Sequence, residues 1–240
     1  MDEALNLADY LPMSFRNPGE QEYISFLWEA FETNYETGKY QFAFLAYHML
    51  MMSFVYFNIW QIREARPDDF EKGLIGFARD DETTLLRATS PFAFSKVNER
   101  TILRLFRLVG CDDSRIGNYR KLVDDRNDAA HANGNIFFNT QHEADAQIRQ
   151  VIRAVEEIQT YSRPVINRRY QEFLLQSHNP EEREYLDADD QIREVLIHGN
   201  YMSRNDIEIC INFDLSTLGD DNGEAINSLH NALCEAYGSV

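Results

Sequence analysis

The feature that most constrains this chain is an uncharged run, QFAFLAYHMLMMSFVYFNIW, from Gln41 to Trp60, without an Asp, Glu, Lys or Arg in 20 residues. That length suffices to span a bilayer. Gln41, His48, Ser53 and Asn58 interrupt the run, and its aromatic residues are spread throughout instead of collecting at the ends, unlike the interfacial belts of membrane helices. A helix apolar on nearly every side also suits the centre of a bundle or a dimer interface. The expectation is therefore a core or interface helix, with no membrane association. MDEALNLADY begins acidic and lacks an apolar core, so no signal peptide is expected.

The rest of the chain reads as helices arranged around that run. NPGEQEYISFLWEAFETNYETG opens after Pro18 and stops near Gly38, with Ile24, Leu27, Ala30 and Phe31 at helical spacing. The apolar helix should run to Arg66, before Pro67. DDFEKGLIGFA and SKVNERTILRLFRLVG are further helices, the second with Ile102, Leu103, Leu105 and Phe106 inside and Gly110 as its stop. DSRIGNYRKLVDDRNDAAHANG follows, with Asn133 and Gly134 as a C-terminal cap because both tolerate positive φ. TQHEADAQIRQVIRAVEEIQTYS carries the stripe Ala144, Ile148, Val151, Ile152, Val155 and Ile158, and Pro164 should kink or end it. DADDQIREVLIHG and GEAINSLHNALCEAYG also look helical. IEICINFDL alternates like a strand, but a lone strand has no partner, so helix is the expectation there. The fold class is all-α. We place an antiparallel helical bundle at 1–164 and an acidic, mainly helical C-terminal region at 165–240.

Charge excludes some functions. The net charge is −17, which disfavours bulk nucleic-acid binding through phosphate contacts. The distribution is uneven. Residues 176–240 hold 14 acids against Arg183, Arg193 and Arg204, a balance of −11, whereas residues 99–126 hold seven bases against five acids, a balance of +2. Arg100, Arg104 and Arg107 would share one face of a helix at i, i+4 and i+7 and are candidates for substrate binding. Cys111, Cys210 and Cys234 are widely spaced and odd in number, which points to a reducing, cytoplasmic compartment with neither a disulfide framework nor a zinc site.

The densest chemistry lies in DDRNDAAHANGN, Asp124 to Asn135. On a helix Asn127 and His131 stack four residues apart, and Arg126 lies about 100° round from Asn127. Ala129, Ala130 and Ala132 leave room for a backbone or a ligand. Histidine as a residue type titrates near neutrality and can move a proton to or from a ribose 2′-hydroxyl. A guanidinium can hold a phosphate and the charge that builds on it, and an amide can orient the imidazole. No metal or cofactor is required. The structural alternative pairs Asp128 with His131 at i, i+3, and bridges Arg126 to Asp125 or a neighbour. A second R-x4-H spacing, Arg193 to His198 in REVLIHGN, surrounds itself with bulky apolar residues and reads as chance. Of the remaining histidines, His48 reads as core, and His142, His178 and His230 as surface positions.

RNDAAH resembles the signature of the HEPN superfamily (higher eukaryotes and prokaryotes nucleotide-binding), an arginine followed by four to six residues and then histidine on a helix of a bundle. The resemblance implies a HEPN-like bundle of four or five helices that dimerises, with two motif helices forming a composite cleft. It further implies a metal-independent endoribonuclease acting on RNA, of toxin or anti-phage defence type, with an antitoxin or defence-system protein as partner. Arg126, Asn127 and His131 would then be catalytic. Some toxin members carry a tyrosine two residues after the histidine, where this chain has Asn133, which puts control by modification there in doubt. Other members are non-catalytic dimerisation or partner-binding modules. An acidic protein that imitates nucleic acid is a third reading.

Overall fold

The computed structural model describes residues 2–131, 134–218 and 223–238. The chain is all-α. Among the described residues there is no sheet, only an isolated antiparallel bridge between Pro12 and Ser203. It divides into two units, residues 1–8 with 17–162, and residues 9–16 with 163–240.

The first unit is built around the uncharged run, which forms the helix Tyr40–Ala65. The helix Pro18–Glu36 packs against it. Asn17 accepts from the Gly19 N–H, and Pro18 occupies the first turn, where its missing N–H costs nothing. A three-residue connection containing Gly38 at φ +74 forces the two helices antiparallel. Phe31 meets Tyr47 at 4.9 Å between ring centroids, and Tyr35 meets Tyr40 at 5.6 Å. The short helix Pro67–Gly73, the 3-10 segments Pro91–Lys96 and Leu103–Val109, and the helix Asp113–Ala130 cover the remaining sides. As a result 83% of the apolar window of Tyr40–Ala65 is buried within the chain. The apolar surface that suggested a dimer interface is thus satisfied internally.

The polar residues that interrupt the run all have partners. Gln41 Nε2 donates to the Ala129 carbonyl at 2.6 Å, and its Oε1 accepts from the Phe137 N–H at 3.1 Å. His48 meets Glu99, Ser53 Oγ donates to the Met49 carbonyl at 2.9 Å, and Asn58 Oδ1 accepts from Ser162 Oγ at 2.7 Å. Gln41 is half-buried and the other three are buried, and each has its hydrogen-bonding need met within the chain.

The helix Gln141–Ser177 opens with a reciprocal cap, in which the Thr140 N–H reaches Glu143 and the Glu143 N–H reaches the Thr140 hydroxyl. All six residues of its expected stripe are buried. Tyr119 donates to Glu157 at 2.9 Å, tying it to the motif helix. Of the two outcomes expected at Pro164, a kink or an end, the helix does not end there and continues to Ser177. The carbonyl that proline deprives of a bond is that of Thr160, and Thr160 and Pro164 are both exposed, so water can satisfy it. The helix belongs to the first unit up to Ser162 and to the second from Arg163.

In the second unit Ile166, Tyr170, Phe173 and Leu174 of that helix pack with Ile192, Leu196, Ile197, Met202, Ile207, Cys210, Leu229 and Leu233. Ala188–Gln191 is α-helical and continues as a π-helix over Ile192–His198. Ser203 and Asp206 form a capping box at the start of Arg204–Ile211, so the alternating stretch is α-helical as far as Ile211 and leaves the helix at Asn212. Gly223–Tyr237 closes the described chain. His142 is exposed, but His178 is only half-buried and His230 is engaged, with Nδ1 2.7 Å from the Tyr170 hydroxyl. His178 and His230 are therefore not plain surface positions.

Candidate functional site

Arg126 and Asn127 come from the end of Asp113–Ala130, and His131 is the residue that follows it. Asp112 caps that helix by accepting from the Arg115 N–H. The helix stops at Ala130, earlier than the expected Asn133–Gly134 cap. His131 leaves in extended backbone, φ −80 and ψ 139, while its N–H still bonds the Asn127 carbonyl at 3.1 Å. Gly134 has φ +80, and Asn133 lies outside the described residues.

Gln41 fixes this end of the helix through its bonds to Ala129 and to Phe137. Phe138 is held at φ +57, an unusual conformation for a bulky residue, with its ring 4.9 Å from that of Phe44. His131 is consequently solvent-exposed at the end of an anchored helix, and Asn127 is half-buried one turn below it.

Arg126 points elsewhere. Its Nη2 lies 2.5 Å from Glu99 Oε2, with side-chain exposures of 27% and 21%. The same oxygen takes His48 Nε2 at 3.0 Å, and His48 is fully buried. Of the partners anticipated for Arg126, Asp125 or a neighbour, it is a neighbouring acid, Glu99, that it pairs with. Burial pushes the Glu99 carboxyl up, but the hydrogen bonds from His48 and Arg126 and the charge of Arg126 outweigh it and hold the group at about 2. Burial pushes His48 down, against the pull of Glu99. At neutral pH His48 is therefore an uncharged donor to Glu99, which leaves Nδ1 without a partner among the described residues. Arg126 Nε also has none.

The three arginines expected to line one helical face do not lie on one regular helix. The segment is α-helical over Glu99–Ile102 and 3-10 over Leu103–Val109, a geometry in which Arg104 and Arg107 eclipse. Arg100 pairs with Asp124 at 3.0 Å, Arg104 lies 5.0 Å over the Phe77 ring, and Arg107 pairs with Asp113. Arg120 Nε donates to the Arg100 carbonyl at 3.0 Å. The segment is thus lashed to the motif helix, and its charge is partly neutralised in doing so.

The second R-x4-H copy is a different environment. Arg193 pairs with Asp190 and Glu194 on its own turn, and His198 Nδ1 lies 2.8 Å from Ser14 Oγ. Among the described residues no cluster of three or more His, Cys, Asp or Glu is placed to hold a metal ion.

Glu99 and Gln41 are the residues that sequence reading missed. Glu99 follows Asn98, whose side chain accepts from the Arg100 N–H, so it looked like an ordinary acid in a first helical turn. Gln41 looked like a blemish in an apolar run. No protein family, curated protein or solved structure matches this chain.

Proposed function

We propose that this protein is a HEPN-type, metal-independent endoribonuclease that cleaves RNA by attack of the ribose 2′-hydroxyl. The observation that carries the reading is the end of the motif helix, where His131 stands exposed beyond Ala130 with Asn127 half-buried one turn below it. His131 takes the proton of the 2′-hydroxyl as its oxygen attacks phosphorus, the 5′-oxygen leaves and takes up a proton, and a 2′,3′-cyclic phosphate remains. Arg126 offers guanidinium charge to the phosphorane, and Asn127 orients the imidazole. Two copies of the chain, each contributing a motif helix, would complete the cleft. A toxin or anti-phage effector in the cytoplasm, governed by an antitoxin or defence-system protein, is the role such an enzyme suits.

A second reading has its own observation. Arg126 forms a half-buried ion pair with Glu99, next to buried His48, as it would in a non-catalytic helical module that dimerises or recruits a partner.

Cleavage of RNA in EDTA separates the two. The nuclease reading expects 2′,3′-cyclic ends and a loss of ~10²–10⁴-fold in His131→Ala, a comparable loss in Arg126→Ala and a smaller one in Asn127→Ala. Arg193→Ala and His198→Ala should leave cleavage intact. Absence of cleavage by folded protein favours the binding module, and activity that survives His131→Ala refutes this motif as the catalytic site.

A further inference from the structure

The first unit contains a cavity of about 580 Å³ that none of the chemistry above uses, lined among others by Glu20, Tyr23, Met52, Tyr56, Phe92 and Glu99. That volume is typical of sites for small organic ligands. Its walls are aromatic: Tyr23 meets Phe92 edge-on at 5.2 Å, and Tyr56 meets Phe92 at 6.4 Å. Its polar groups are acidic or neutral. Glu20 is only 4% exposed and accepts from Ser90 Oγ at 2.6 Å. Among the described residues no lysine or arginine lines the cavity.

Glu99 is one of the lining residues. Its contacts with His48 and Arg126 both fall on Oε2, and among the described residues Oε1 has no partner. The carboxylate is held ionised down to about pH 2, and its charge adds to burial in pushing the Tyr56 hydroxyl up. Two carboxylates in a partly desolvated cavity repel any anion. Aromatic faces attract an alkylammonium or guanidinium group.

We propose that this cavity binds a small organic cation, with its charged head between Glu20 and Glu99 and its alkyl groups against Tyr23, Tyr56 and Phe92. Glu99 then serves two cations, the ligand at Oε1 and Arg126 at Oε2. Ligand and Arg126 compete for the same charge, so a bound cation loosens the hold of Glu99 on Arg126. Because coupling is reciprocal, removing Arg126 strengthens the site. The binding site stands by itself; only its consequence for RNA cleavage rests on the nuclease reading.

Calorimetric titration of the full chain with choline and with agmatine tests this, against 3,3-dimethyl-1-butanol as the uncharged isostere of choline and magnesium chloride as an inorganic cation. We expect saturable one-to-one binding of at least one organic cation, and affinity for the isostere lower by ~10-fold or more. Glu20→Gln should weaken binding by about 10-fold, and Tyr23→Leu, at a half-buried position, by a few fold through the lost ring face. Arg126→Ala should tighten it. Failure of both cations to bind at 10 mM (roughly the limit of useful ligand affinity), equal binding of the isostere, or displacement of the organic cations by magnesium overturns the proposal. Unchanged binding in both Glu20→Gln and Tyr23→Leu does so as well. If the cations bind and no RNA is ever cut, the site stands and the nuclease reading falls; if RNA is cut and the cations do not bind, the reverse holds.

Discussion

Glu99→Gln puts the centre of the first unit to a quantitative test. The side chain keeps its size and loses its charge, so Arg126 and buried His48 lose the carboxylate they share. The contacts lower the Glu99 pKa from 4.5 to about 2, and at about 1.4 kcal/mol per pKa unit this corresponds to roughly 3 kcal/mol of stability. Exposures of 21% and 27% for the two side chains let water replace part of the interaction, so about 2–3 kcal/mol is the expected loss at pH 7. For a unit of this size that corresponds to a Tm lower by roughly 5–10 °C. The sign follows from the depressed pKa: the contribution is complete above 4.5 and disappears as pH falls from 4.5 towards 2. By pH 3 the gap between wild type and variant should have shrunk to about half. Trp28 and Trp60 are the only tryptophans and both belong to the first unit, so urea unfolding followed by tryptophan fluorescence at pH 7, 5 and 3 reads this unit selectively. Equal stability at pH 7, or a gap that stays constant down to pH 3, would refute the arrangement.

Other perturbations follow from the same contacts. Ser162→Ala leaves the buried Asn58 carbonyl oxygen without its donor and should cost about 1–3 kcal/mol, measured by the same fluorescence titration. Gly110 stands at φ +96 after Leu103–Val109, so Gly110→Ala should destabilise by about 1–2 kcal/mol through backbone strain alone; the nearest atom to the added Cβ, in Tyr161, is 4.0 Å away. His131→Ala, at an exposed position beyond the helix end, should change stability by less than about 0.5 kcal/mol, so any loss of cleavage in that variant belongs to chemistry. Light scattering should give the mass of a dimer, and a clean monomer would remove the composite cleft.

Much of the fold is legible in the sequence because periodicity and caps agree there. The stripe from Ala144 to Ile158 is buried at every expected position, and Asn17-Pro18 marks a helix start. The uncharged helix is correctly core because its polar residues stand at separate points along it, each able to meet a different neighbour. Two features escape local reading. Pro164 is tolerated because it falls on an exposed face, a tertiary fact. Residues 9–16 join the second unit, the Met13 N–H bonding the Met202 carbonyl at 2.9 Å; nothing in PMSF announces a partner 189 positions away.

The site is legible to a different degree, and the reason is physical. A motif specifies residues on one helix, and spacing alone fixes only their direction along that helix. Where each side chain goes depends on what faces it. Arg126 and His131, five positions apart, end in unlike surroundings because Glu99 arrives from a neighbouring segment and draws the guanidinium inward, while Gln41, through its bonds to Ala129 and to Phe137, fixes the helix end that carries the imidazole outward. Glu99 could not have been singled out from composition, since the chain has 40 acidic residues and the property that distinguishes this one is having His48, Arg126 and an open cavity around a single carboxylate. Through it the buried centre of the unit, the motif helix and the cavity share one charge, so a change at any of the three is felt at the other two.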